Sequence, residues 1–248
     1  MSFKDHFSTL AANYATYRPD YPPALFAWLA AQVKGHGLAW DCGTGNGQAA
    51  HGLAGFFDKV IATDASDAQI AEAQGPANVE FRVAPAEDSG LPAASVDLLL
   101  VAQAVHWFDL DRFYAEVRRV LKPDGVIALL TYSAHRVNAE VDKPSLHFYQ
   151  DVVGPYWPPE RKWVESGYRD LPFPFVEISA PQMSLTANWD LAHFLGYQAT
   201  WSATKRYIEA TRHDPIEDLE AALLPVWGPP ERHHTVRWPL AMRVGRLA

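Results

Sequence analysis

The sequence predicts an α/β fold, a mostly parallel sheet covered by helices on both faces. Two observations carry that prediction. From Leu38 to Ser133 short apolar runs alternate with helical patterns, and one run, Val96-Asp97-Leu98-Leu99-Leu100-Val101, is nearly unbroken. A strand buried on both faces of a parallel sheet reads this way.

The first run, Leu38-Ala39-Trp40, enters a glycine-rich turn from Gly43 to Gly47, and Gln48 to Phe57 reads as a helix. Lys59 to Ala62 is a second strand ending near Asp64, Val79 to Val83 a third and Val96 to Ala102 a fourth. Asp109 to Leu121 places Phe113, Val117, Val120 and Leu121 at helical spacing, so one face packs on the sheet. After the Lys122-Pro123-Asp124-Gly125 turn, Val126 to Thr131 is a fifth strand. Right-handed crossovers follow from the alternation. Beyond Ser133 the pattern breaks, with Pro144, Pro155, Pro158, Pro159 and Pro172 set among tyrosines and tryptophans, which reads as an inserted cover. Phe175 to Leu185 reads as a strand, Trp189 to Ala199 and Lys205 to Leu224 as two helices, and Thr235 to Leu247 as a closing strand. Pro239 in that strand favours a sheet edge or a bulge.

A chain of 248 residues, 48% of them hydrophobic, is long enough to bury one large core, so a single domain over 1–248 is expected. The formal charge of −8 argues against nucleic acid as a partner, because gripping phosphates takes clustered Lys and Arg. The one cysteine, Cys42, forms no internal disulfide, and neither a signal pattern near Met1 nor an apolar run of membrane-spanning length is present. These features favour a cytoplasmic chain without a membrane partner. No heptad seam or sticky edge is evident, which leaves a monomer as the default. His213 and His233-His234 have no carboxylate or cysteine at ligand spacing, so no metal site is expected.

The strongest local signal is Asp41-Cys42-Gly43-Thr44-Gly45-Asn46-Gly47 at a strand-to-helix junction. Glycines there supply space and positive φ, so backbone can approach a ligand. Asp64, after the next strand with Ala65 beside it, is placed to accept both hydroxyls of a ribose. The pair implies an adenosine ligand, and a nicotinamide dinucleotide is a rival on spacing. The spacing Gly43-x-Gly45-x-Gly47 lacks the displaced third glycine of the dinucleotide pattern, and Asp41 would repel a pyrophosphate while orienting the turn and a cationic methionine moiety. Both details favour S-adenosylmethionine. In the turn Ala84 to Pro92, Ala86 and Glu87 lie on the adenine side, with Glu87 accepting from the adenine amino group or its neighbour's backbone reading the ring. The fourth strand runs into Gln103-Ala104-Val105-His106-Trp107-Phe108 at the carboxyl edge of the sheet, where open α/β folds bind ligands. His106 and Trp107 are therefore candidates to meet donor or acceptor, although a histidine beside aromatics more often serves packing.

Taken together these motifs resemble the class I S-adenosylmethionine-dependent methyltransferases, of methyltransferase type 11, and within them the branch of trans-aconitate methyltransferase. The residues that carry the resemblance are Phe7, Ala11, Tyr14, Tyr17-Arg18-Pro19, Tyr21-Pro22, Asp41 to Gly47, Asp64, Ala86-Glu87-Asp88, Ala104 to Phe108, Val120 to Gly125 and the ending Thr235 to Arg246. The resemblance implies a Rossmann-like, seven-stranded sheet with its last strand antiparallel, a lid at 1–30 and a cap or substrate insertion at 134–174. It also implies that Tyr14, Arg18, Gln103 and Ala104 join Asp41, Gly43, Thr44, Gly45, Gly47, Asp64, Ala65, Ala86 and Glu87 around the cofactor. Arg18 is suited to the methionine carboxylate, and Tyr14 or Tyr17 to covering the sulfonium through a π face.

A sulfonium methyl is already activated, so an enzyme of this kind needs to align an acceptor lone pair and exclude water, and no protein nucleophile is required. A small carboxylic acid as acceptor calls for positive donors, for which Arg136, Arg161, Lys162, Arg169 and Arg206 are candidates. A hydrophobic acceptor would use Trp107, Tyr132, Trp157, Trp163 and Trp201 instead. The working expectation is O-methylation of a small carboxylic acid, with a non-catalytic S-adenosylmethionine-binding protein and a nicotinamide-dependent oxidoreductase as alternatives.

Overall fold

The computed structural model describes residues 17–247. Tyr14 and the first sixteen residues of the expected lid lie outside them. Five strands, β1 (Leu38–Cys42), β2 (Lys59–Asp64), β3 (Val79–Val83), β4 (Val96–Ala102) and β5 (Leu121–Thr131), pair in parallel. They are joined by β8 (His234–Arg246), which runs antiparallel to β5, and by the short β6 (Val176–Ile178) beyond it. The order β3-β2-β1-β4-β5-β8-β6 is the expected seven-stranded sheet with its last strand antiparallel. An eighth strand, β7 (Met183–Trp189), pairs with the His234–Leu240 half of β8, before β8 enters the main sheet beside β5 at Ala241. Pro239 sits just ahead of that crossing, where the strand has not yet gained its β5 neighbour and the missing N–H costs least.

The apolar run of β4 is divided between two cores. Leu98 and Leu100 pack with α1 (Pro23–Ala30) and α2 (Gln48–Ala54), whereas Leu99 and Val101 pack with Phe113, Val117 and Val120 of α4 (Leu110–Val120). Side chains alternate across a strand, so a strand covered on both faces must be apolar at every such position. A shorter helix, α3 (Asp67–Glu72), links β2 to β3 and starts at Ser66, whose hydroxyl accepts from Gln69 N. Helices α1 and α2 approach so closely that a Cβ added at Gly52 would stand 2.0 Å from the Phe26 ring. Gly52→Ala is therefore expected to destabilise the chain by about 1–3 kcal/mol from overpacking, against its favourable helix propensity. Urea unfolding would show a lower midpoint at unchanged slope, and an unchanged midpoint would mean that Phe26 yields freely.

The later chain departs from the expected elements at three places, two of them marked by a proline. The strand expected over Phe175–Leu185 is two strands, β6 and β7, interrupted around Pro181. The helix expected over Lys205–Leu224 is α8 (Ser202–Thr211) and α9 (Pro215–Trp227), because Asp214 caps and Pro215 occupies the first turn of a new helix. Trp189 ends β7, and the helix expected from it begins at Leu191, so that α7 is Leu191–Ala199 with Asp190 accepting from His193 N. The Lys122–Gly125 turn is absorbed into β5, whose register against β4 shifts between Val96 and Leu98. Residues 134–174 hold α5 (Ala139–His147), a π-helical turn at Phe148–Val152, a 3₁₀ turn at Gly154–Tyr156 and α6 (Arg161–Glu165).

Candidate active site

The glycine turn after β1 is held from below. Gly43 N and Thr44 N both donate to Thr63 O of β2, at 2.8 and 2.9 Å, and Gly43, Gly45 and Gly47 all have positive φ. A Cβ on Gly43 would lie 2.5 Å from that of Ala104, so glycine lets the β1 turn close against the end of β4. At Gly45 a Cβ would meet, among the described residues, only Gln69 Oε1, at 3.7 Å, so none of them fills the space over the turn there. Gly45 N donates to Asp64 Oδ2 and Ser66 N to Asp64 Oδ1, both at 2.9 Å, which sets the Asp64 carboxylate beside the opening. A carboxylate oxygen has two acceptor positions, the chemistry that ribose hydroxyls call for. An open glycine backbone beside a half-buried carboxylate fits an adenosine-type ligand.

Asp41 lies beneath the turn with no exposure and accepts from the Thr44 hydroxyl at 2.5 Å. Burial pushes its pKa from 3.8 to about 7, against the opposing bonds from Thr44 and the Ala50 backbone. Ala65 is half-buried next to Asp64, and Ala86 is buried. Glu87 is half-buried, with Oε1 accepting from Asp109 N at 2.9 Å at the start of α4.

Gln103, at the end of β4, has φ +61, a left-handed conformation uncommon for a residue with a side chain. Its amide explains why the conformation holds: Nε2 donates to Tyr132 O at 2.8 Å and Oε1 accepts from the Thr131 hydroxyl at 2.8 Å. Next to it His106 bonds the buried Tyr168 hydroxyl through Nδ1 at 2.8 Å, and burial, aided by the Arg161 charge, pushes its pKa down to about 3. The ring is neutral at physiological pH. Arg18, Gln103, His106 and Trp107 line one cavity of about 90 Å³ together with Arg161 and Lys205. Arg161 stacks on Trp157 at 4.2 Å and bonds Tyr149 and Glu165 through Nε and Nη2, so Nη1 takes no part in those bonds. Lys205 Nζ is occluded and has no hydrogen-bond partner among the described residues, and burial and the Arg18 charge lower its pKa.

Residues 40–129 match the family model described as a methyltransferase domain. The chain is 34% identical over 226 residues to a protein of Dictyostelium discoideum named as a methyltransferase, covering 90% of this chain and 86% of that one. The chain belongs to the class I S-adenosylmethionine-dependent methyltransferases. A solved structure from Anaeromyxobacter dehalogenans, named as a type II methyltransferase, superposes with a TM-score of 0.88 at 50% identity, over 93% of this chain and 98% of that one. A Saccharomyces cerevisiae protein named as an S-adenosylmethionine-dependent methyltransferase is 33% identical over 131 residues, 49% of this chain and 45% of its own length.

In this methyltransferase the expected site residues fall into three groups. Asp41, Gly43, Thr44, Gly45, Gly47, Asp64 and Ala104 are brought together around the turn, and Arg18, Gln103, His106 and Trp107 around the cavity. Glu87 and Ala86 lie on the loop after β3, with Glu87 tied to α4. Tyr17 packs on α7, where it fills the space over Gly196 and meets His193 edge-on at 5.0 Å. Arg18 lies 5.3 Å from the Tyr197 ring centroid. Of the five cations expected for an acid acceptor, Arg161 lines the cavity, whereas Arg136, Lys162 and Arg169 are exposed and Arg206 is half-buried elsewhere. Of the five aromatics, Trp107, Tyr132, Trp157 and Trp201 line it, and Trp163 instead stacks under Lys162. Sequence reasoning missed Lys205, Tyr197 and Thr200, which come from α7, α8 and the link between them. The aromatic Tyr197-x-x-x-Trp201 spacing followed by Lys205 was the available signal, since residues four apart share a helix face. His213 pairs with Asp218 at 2.7 Å, while His233 and His234 bond backbone carbonyls. Among the described residues no three potential ligands cluster for a metal, and no helix is long and apolar enough to cross a membrane.

Proposed function

We propose that the chain transfers a methyl group from S-adenosylmethionine to an oxygen of a small organic acid bound in the cavity between the end of β4, residues 134–174 and the α7–α8 link. S-adenosylmethionine, held at the turn by Gly43, Gly45 and Asp64, supplies an activated methyl group. The observation that supports an acid is the charge of the cavity: among the described residues Arg18, Arg161 and Lys205 line it, no Asp or Glu does, and Lys205 Nζ is occluded without a hydrogen-bond partner. An ammonium taken from water and left unpaired is costly, and an anion between the cations removes that cost. Trp107, Trp157 and Trp201 exclude water from the same space and strengthen the attraction. The volume, about 90 Å³, favours a small acceptor. A polycarboxylic acid, which the resemblance to trans-aconitate methyltransferases points to, is one member of this class, and residues 134–174 are its cap.

The test is S-adenosylhomocysteine release with a panel of small acids and their amides. Acids are expected to turn over and their amides not. Arg161→Met and Lys205→Met should each raise KM for the acid by roughly 30-fold, about 2 kcal/mol of charge-assisted bonding, with kcat changed far less. Turnover of the amides with none of the acids would sink the proposal.

A further inference from the structure

Arg161 is held along one edge. Its anchor begins at Pro144, which takes an N–H out of α5, and that helix runs into the π-helical turn at Phe148–Val152, where Val153 N donates to Phe148 O at 3.0 Å. Tyr149 lies in this turn, buried, with its ring centroid 5.3 Å from that of Trp157 and 5.4 Å from that of Trp201. Trp157 Nε1 also donates to Tyr149 O, at 3.3 Å. These contacts fix the phenol. Arg161 and Glu165, four apart on α6, share a helix face, and Arg161 Nε donates to Glu165 Oε1 at 2.8 Å.

A guanidinium carries its N–H donors in a planar fork with two usable edges, the Nε–Nη2 side and the Nη1–Nη2 end. The Tyr149 hydroxyl oxygen accepts from Nε at 3.0 Å and from Nη2, so it caps the side edge. Its own proton goes to Glu165 Oε1, and burial pushes the Tyr149 pKa up, which keeps the phenol neutral. The Trp157 ring covers a face of the guanidinium at 4.2 Å. Among the described residues Nη1 has no hydrogen-bond partner, and it is not one of the occluded atoms. Arg161 lines the cavity, whereas Tyr149 stands outside its lining. The donors left over are those of the Nη1–Nη2 end.

We propose that Tyr149 is a positioning residue for the acceptor: with Glu165 and Trp157 it caps the side edge of Arg161, so that the Nη1–Nη2 end meets the acceptor's carboxylate as a two-donor fork. This rests on the acid reading above. Arg161 touches the acceptor under this assignment, whereas Tyr149 and Glu165 act through it. A fork of fixed direction sets the plane of the carboxylate as well as attracting its charge, which an ammonium in the same place does not do. An arginine held beforehand also loses little side-chain freedom when the acid arrives, and the acid binds more tightly for it.

Variant kinetics test the fork. Tyr149→Phe keeps the ring and removes the cap, and should raise KM for the acid roughly tenfold with kcat within about twofold of the wild type. The same change made in Arg161→Met should add no further rise, because a residue that acts through Arg161 then has nothing to act on. Arg161→Lys should be nearly as impaired as Arg161→Met, since it keeps the charge and loses the fork. Wild-type KM in Tyr149→Phe or Arg161→Lys, or a Tyr149→Phe effect undiminished in Arg161→Met, would overturn the inference while leaving the acid reading intact. A second measurement needs no acceptor. In protein labelled with ¹⁵N at arginine, the Arg161 Nε–H, identified by its loss in Arg161→Met, should exchange slowly with water, and roughly tenfold faster in Tyr149→Phe. Fast exchange in the wild type, or an unchanged rate in Tyr149→Phe, would equally overturn it. Turnover of no acid would sink the acid reading and the carboxylate fork built on it, with the exchange rates still deciding whether Tyr149 holds Arg161.

Discussion

Gly45→Val is expected to abolish S-adenosylmethionine binding while leaving the chain folded. The described residues leave room for the change, since among them a Cβ at Gly45 would meet only Gln69 Oε1 at 3.7 Å. The backbone there has φ +56, so a β-branched residue adds strain of about 1–2 kcal/mol, which a chain of this size tolerates. The side chain would stand in the opening beside Asp64 that the glycine leaves to a ligand. Calorimetric titration should give micromolar binding by the wild type and none by the variant, with the two proteins indistinguishable in circular dichroism. Wild-type affinity in a folded Gly45→Val protein would mean that the ligand does not approach this turn.

Asp41→Asn is expected to raise stability in alkaline solution. Asp41 is fully buried, and its pKa rises from 3.8 to about 7, burial outweighing the Thr44 bond. Between those values the folded state binds more protons than the unfolded one, so the stability owed to this group is full below pH 4 and lost as pH rises through about 7. The charging cost above that range is at most about 4 kcal/mol, and asparagine avoids it while keeping an oxygen for Thr44. Urea unfolding at pH 8 should find Asp41→Asn more stable by about 2–4 kcal/mol, with the gain shrinking as pH falls toward 4. An equal gain at both pH values would show that the carboxylate is not charged at a cost.

Much of the frame was legible in the sequence. The five parallel strands, the glycine turn and the capped helix after Asp109 each depend on patterns within a few residues. Burial on both faces demands a continuous apolar run, and a left-handed turn demands glycine. The misplaced elements lay where two signals competed: Pro181 and the Asp214-Pro215 pair interrupt segments whose apolar content reads as continuous. The ribbon of β7 on β8 was missed for another reason. Its register, with Leu185 opposite Trp238, joins residues more than fifty positions apart, and nothing local encodes such a pairing.

The site divides along the same line. Gly43, Gly45 and Asp64 stand out because their roles are set by backbone geometry at adjoining strand ends. Lys205 does not stand out, because a lysine on a helix is ordinary until the chain folds Arg18 and Arg161 around the same cavity and, among the described residues, leaves its ammonium without a hydrogen-bond partner. By itself, then, the sequence determined the parallel sheet and the glycine turn, which are written in short-range periodicity and glycine chemistry, and its motifs carried the resemblance that implies the methyltransferase class. Only the tertiary structure decided that Arg18, Arg161 and Lys205 line one cavity. That depends on which distant side chains share one desolvated space, and desolvation is a property of the folded chain.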